Sequence, residues 1–257
     1  MFLLCGRVLG RTYEKKKMLV CSPQWPILQT LDIFCRDLYY KCSGESLDII
    51  STQCESDVIN MLRANNPSLF IWDGELHANI SLLIEVRRSY PNMPILVIQP
   101  YFLFSDKVIA KFMGQVGLLD YIGVMSDSFH DVFLMLRHNV FFLNSSSSLQ
   151  FFLGVPNINE FLTLTEDAII SSLNHYLINE MYTMGMPAKV IDVVMKWLVH
   201  GVPIRKCAKR IGLSEKTIYH YRQIIIRSLG IHNVPRNFRR SLLIRSNRMS
   251  TAFSCSI

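Results

Sequence analysis

The sequence has no uninterrupted apolar run of the roughly 18 residues that a membrane-spanning helix needs. Its opening MFLLCGRVLG has no basic segment ahead of the apolar part and no small-residue cleavage site, so no signal peptide is expected. Leu3-Leu4-Cys5-Gly6 is too short an apolar stretch for a lipoprotein signal. There are 7 cysteines, at 5, 21, 35, 42, 54, 207 and 255, with no CxxC pair and no Cys/His ligand spacing. An odd, scattered set argues against a disulfide scaffold or a zinc site and for reduced thiols in a cytoplasmic protein. Cys35, Cys42 and Cys54 read as small buried hydrophobes. No nucleophile–base pair, metal set or phosphate-binding loop stands out, so an enzyme is not expected and no cofactor is implied.

Acidic residues are scarce in one part only. From Gly185 to the end there are 14 Lys/Arg and 2 Asp/Glu, net +12; residues 1–184 hold 13 basic and 18 acidic, net −5. A basic segment tethered to a mildly acidic one points to a polyanionic partner for the former alone. Half the residues are apolar and the length suits two domains.

Residues 17–143 alternate short apolar runs with helical periodicity. Strands are predicted at 17–22, 47–52, 68–72, 94–98 and 121–124, and helices at 27–40, 55–64, 81–89, 106–113 and 129–142. Five buried strands alternating with helices imply a flavodoxin-like α/β domain with a parallel sheet covered on both faces. Residues 1–16 lie outside this domain, and Met18 is a candidate initiator. Asn144-Ser145-Ser146-Ser147-Ser148 opens a connecting segment, 144–184, with one or two helices over 159–181. Its Glu166, Asp167 and His175 read as a solvated helix face. The segment either packs on the next domain or forms a dimer contact.

Residues 185–248 read as an all-α domain of four helices, followed by a tail, 249–257. A helix over 187–200 carries Val190, Val194, Trp197 and Leu198 inward. The stretch 204–230 then has the composition of a helix-turn-helix. Ala208 is small enough to let two helices approach, Gly212 accepts the positive φ of a helix end, Ser214 is an N-cap, and Ile218 fills the angle between the helices. Ile225 and Leu229 continue the inward stripe. Lys216, Tyr219, His220, Gln223 and Arg227 fall on the opposite face, whose polar tips and positive charge suit a major groove. A last basic helix over 235–248 carries Phe238, Leu242 and Leu243.

Two resemblances follow from these residues. The order of elements, with Asp73 at the end of strand three, resembles the receiver domain of bacterial response regulators. Val199-His200-Gly201-Val202, Gly212-Leu213-Ser214-Glu215-Lys216-Thr217-Ile218 and Ser228-Leu229-Gly230-Ile231 resemble the LuxR-type (NarL/FixJ-type) DNA-binding domain. The pairing is similar to the auxiliary, atypical LuxR-type regulators of enteric bacteria. The receiver resemblance implies a phospho-accepting aspartate at Asp73. It also implies an acidic pair after strand one for Mg²⁺, a hydroxyl after strand four and a lysine after strand five. Here those positions hold Ser22-Pro23-Gln24, Gln99 and, by the predicted strand, Val124. The expectation is therefore a pseudo-receiver that does not use metal-dependent phosphorylation.

The LuxR-type resemblance implies base reading by Tyr219, His220 and Gln223. It implies backbone contacts by Arg205, Lys216, Thr217, Tyr221 and Arg222, with Ala208, Gly212 and Ile218 as scaffold. Phe238, Leu242 and Leu243 correspond to the family's dimer helix, with packing on their own domain as the alternative. The expected partners are double-stranded DNA and a second subunit, the same chain or another LuxR-type regulator, with no membrane. A conventional phosphorylated regulator, and a partner protein without DNA binding of its own, remain as rival readings.

Overall fold

A computed structural model of the chain describes residues 16–125, 150–152 and 163–246. The predicted helix at 129–142, the serine-rich break and the tail lie outside these residues. The sheet has six strands in the order β2-β1-β3-β4-β5-β6. Here β1 is Lys17–Cys21, β2 Asp48–Thr52, β3 Leu69–Asp73, β4 Ile95–Gln99, β5 Val116–Asp120 and β6 Gln150–Phe152. The first five run parallel; β6 adds an antiparallel edge strand to β5, with Val116 opposite Phe152.

The central strands β3 and β4 are buried along their whole length. This is why they read as continuous apolar runs: both faces of a parallel sheet are covered. Alternate residues feed two cores. Leu19, Phe70, Trp72, Ile95 and Val97 point to one face. Met18, Val20, Ile71, Leu96 and Ile98 point to the other. Helix α1 (Trp25–Ser43) covers the second face with Leu28, Leu31, Cys35 and Tyr39 at helical spacing. Helices α2 (Val58–Asn65), α3 (Ile80–Ser89) and α4 (Phe104–Met113) cover the first. Cys35 is buried as expected, whereas Cys54 is exposed.

The strand predicted at 121–124 is corrected. The fifth strand is Val116–Asp120, and Tyr121–Val124 form a short helix, α5. The Asp120 carboxylate accepts from the Gly123 N–H at 2.6 Å, so it ends the strand and caps the turn. Gly117 hides the strand in the sequence by interrupting its apolar run.

The second half is helical: α6 (Glu166–Thr183), α7 (Ala188–Val193, continuing as a π-helical turn to Leu198), α8 (Ile204–Ile211), α9 (Glu215–Ser228) and α10 (Val234–Leu242). No helix among the described residues is long and apolar enough to cross a membrane. The two halves share one apolar core, because α4 packs against both α6 and α10. The Phe112 and Tyr176 rings meet at 5.5 Å, and Lys111 pairs with Glu180 at 2.8 Å. Asn174 exchanges two hydrogen bonds with the Ile244 backbone. The connecting helix thus packs on both domains.

Glu166 is a correction to the solvated-face reading. Its Oε1 accepts from Ser81 at 2.6 Å and from Ser246 at 2.8 Å, stapling α3 to the segment after α10. Asp167 and His175 are exposed as expected.

Candidate nucleic-acid interface and the strand-edge site

The helix-turn-helix is built from α8 and α9. Gly212 ends α8 at φ 68°, and the Leu213 N–H bonds back to the Ala208 carbonyl at 3.1 Å, a Schellman-type closure. A side chain at 212 would be strained by the left-handed φ, although it would meet no neighbour. Ser214 caps α9: its Oγ accepts from the Thr217 N–H at 3.1 Å. Ile218 and Ile225 are fully buried beneath the pair, and Ala208 is buried at the helix crossing.

The opposite face of α9 is open. Lys216, Tyr219, His220, Gln223 and Arg227 are all exposed, Tyr219 by 51%. Arg205 is exposed on the first turn of α8. Three expected backbone-contact residues are partly engaged within the chain. The Thr217 hydroxyl lies 2.8 Å from Ser214 Oγ. Tyr221 is half-buried against the core. The Arg222 guanidinium sits 5.1 Å above the Phe238 ring. A similar pair, Arg210 over Trp197 at 5.2 Å, braces α8 on the preceding helix; nothing in the local sequence pattern marks either pair.

The last helix is where the two alternatives separate. Phe238 and Leu242 are buried in the chain's own core, and Leu243 follows the helix in extended conformation, half-buried. The α10 backbone also meets the first domain: Ser105 Oγ donates to the Arg240 carbonyl at 2.8 Å. The Arg240 side chain pairs with Glu75 and donates from Nε to His77 Nε2 at 2.9 Å. An arginine only donates, so His77 accepts there and holds its proton on Nδ1, facing the buried Asp106 at 2.8 Å. Packing on its own chain is therefore the arrangement these side chains adopt.

Asp73 ends β3, as the sequence placed it, and is only 5% exposed. Both its oxygens are occupied. Ser22 Oγ donates to Oδ2 at 2.6 Å, and Tyr121 Oη donates to Oδ1 at 2.7 Å. Burial and the neighbouring carboxylate push the Tyr121 hydroxyl well above the usual phenol range. Gln99 donates from its side-chain amide to the Gly74 carbonyl at 2.6 Å. A Cβ at Gly74 would overlap the Trp72 indole, at 2.3 Å from its nitrogen, so the chain leaves Asp73 by a turn only glycine fits. The corrected fifth strand makes Tyr121, not Val124, the first residue after that strand.

The place of the acidic pair holds Ser22, Pro23 and Gln24, and no group of three metal-ligating side chains occurs among the described residues. Two hydroxyls occupy the carboxylate, one on each oxygen.

No protein-family model and no curated protein matches the chain. Solved structures do. A structure of two RcsB dimers bound to two parallel DNAs shares 15% identity with it, with a TM-score of 0.56, over 89% of this chain and 97% of that one. The RcsB response regulator of Salmonella typhimurium is 15% identical over 92% of this chain and 100% of the other, at a TM-score of 0.49. At such identity the likeness is one of fold. The chain has the architecture of a receiver followed by a helix-turn-helix domain.

Proposed function

We propose that the chain is a LuxR-type transcription regulator that binds DNA sequence-specifically, acts in the cytoplasm and does not depend on phosphorylation. What supports this reading most is the open face of α9. Lys216, Tyr219, His220 and Gln223 stay exposed although both domains are docked together. They belong to a segment of net charge +12. Gln223 offers a bidentate pair to an adenine; Tyr219 and His220 offer single hydrogen bonds or contact with a thymine methyl. Lys216, Arg205, Thr217, Tyr221 and Arg222 line the flanks, where phosphates set register. The sealed Asp73 supports independence from phosphate donors.

The active unit is a dimer, of this chain or with another LuxR-type regulator, on half-sites about one helical turn apart. With Phe238 and Leu242 buried, a dimer through α10 would require that helix to leave α4.

The test is selection of a binding site from random duplex DNA, followed by variants. Gln223→Ala is expected to relax preference at one base pair, by about 1–3 kcal/mol. Lys216→Ala should weaken all sequences alike and lower the salt slope by about 1. Failure to select any site, or a sequence-selective loss in Lys216→Ala, contradicts the assignment.

A further inference from the structure

Beside the sealed Asp73 lies a cavity of about 300 Å³. Pro26, Ile27, Thr30 and Leu31 of α1 form one wall. Ile98 at the end of β4 and Tyr121, Val124 and Met125 after β5 form the other. This is the carboxyl edge of the sheet, where folds of this class hold their ligands. Its size lies at the lower end of the range for small-molecule sites, roughly 300–1,000 Å³.

The chemistry of the walls limits what can enter. None of the described side chains that line it carries a charge. The two hydroxyls among them are already engaged: Thr30 donates to the Pro26 carbonyl at 2.8 Å, and Tyr121 to Asp73. A cation would give up its hydration for a carboxylate that hydroxyls have covered, and an anion would find no positive partner among the described residues. An uncharged apolar molecule loses nothing on entry. Apolar side chains also stand in solvent in and next to these walls: Met125 is 74% exposed, Ile122 83% and Trp25 62%. Such side chains gain from being covered, by about 25 cal/mol per Å².

We propose that this cavity is a binding site for a small, uncharged, mainly apolar compound. A ligand there rests on the Tyr121 ring, the same side chain whose hydroxyl holds Asp73. The edge that would handle a phosphoryl group in a receiver is thereby given to a different class of ligand. This site stands apart from the DNA-binding reading and survives its failure.

The probe is N-phenyl-1-naphthylamine, an uncharged fluorophore that brightens when removed from water, titrated into the full chain. Saturable binding of one probe per chain is expected. Naphthalene should displace it, and naphthalene-1-sulfonate at equal concentration should not. Thr30→Trp fills the cavity from an exposed position, and Met125→Glu puts a charge on its wall from another. Each should weaken the probe at least tenfold while leaving the thermal midpoint of the protein in place. Absence of saturable binding overturns the proposal. So does equal displacement by the sulfonate, or an affinity unchanged in both variants.

Discussion

Replacing Tyr121 by Phe removes one oxygen from the Asp73 site and leaves the ring where it packs. The lost interaction is a 2.7 Å hydrogen bond from a hydroxyl to a carboxylate. Bonds to charged groups contribute about 1.5–3 kcal/mol. The Tyr121 hydroxyl is only partly buried, so the low end applies, about 1.5 kcal/mol. Asp73→Ala removes that bond and also the one from the buried Ser22 hydroxyl, which keeps its hydrogen bonds to the Gln24 backbone. The single variants should therefore be unequal, with Asp73→Ala the worse. Because they share one bond, the double variant should be less unstable than their sum, by about 1–2 kcal/mol. Urea unfolding of the four proteins reads this coupling directly. In thermal unfolding Tyr121→Phe alone should lower the midpoint by about 3–6 °C, at about 2–4 °C per kcal/mol for a chain of this size. Strict additivity, or a Tyr121→Phe protein as stable as the parent, would refute the sealed-aspartate geometry.

Two other outcomes follow, one from buried thiols and one from the docking of α10. Burial pushes the Cys21 thiol up to about 12, aided by nearby Glu55 and Asp73, and pushes Cys35 higher still. Both folded values lie above the unfolded value of about 8.5, so the stability involved is complete below that pH and is lost as pH rises from about 9 towards 12. Each thiol contributes a slope of up to about 1.4 kcal/mol per pH unit; urea midpoints at pH 8, 9.5 and 10.5 should fall, less so in Cys21→Ala, and a flat profile would contradict this. Arg240→Ala removes the bonds to His77 and Glu75 that help to dock α10. Amide exchange near residues 75–79 and 234–246 should then quicken about tenfold, the effect of about 1.4 kcal/mol on local opening, whereas unchanged exchange would place the docking energy elsewhere.

Local patterns were legible in the sequence, and distant pairings were not. Strand and helix alternation came through because β1, β3 and β4 are buried on both faces and therefore continuously apolar. The helix-turn-helix came through because Gly212 and Ser214 act within a few residues of themselves. The fifth strand was misplaced because Gly117 breaks its apolar run, while Ile122, read there as a strand residue, is 83% exposed. The β6 edge strand is only three residues long, too short for a period to register. Absence of the acidic pair and of the lysine was visible at once. That hydroxyls of Ser22 and Tyr121 close over Asp73 was not, since those residues lie 51 and 48 positions away. The role of Glu166, which reaches Ser81 and Ser246 from a helix that reads as solvated, was hidden for the same reason. Docking of α10 on α4 likewise depends on residues far apart, such as Ser105 and Arg240.

The most direct test of the central claim is DNA binding by the full chain across a salt series, untreated and after acetyl phosphate with Mg²⁺. The affinity for a selected site should fall with salt, as phosphate neutralisation requires, and should be the same with and without the donor. Specific binding that appears only after the donor, and is lost in Asp73→Asn, would mean that Asp73 is accessible and phosphorylated, and would contradict the account.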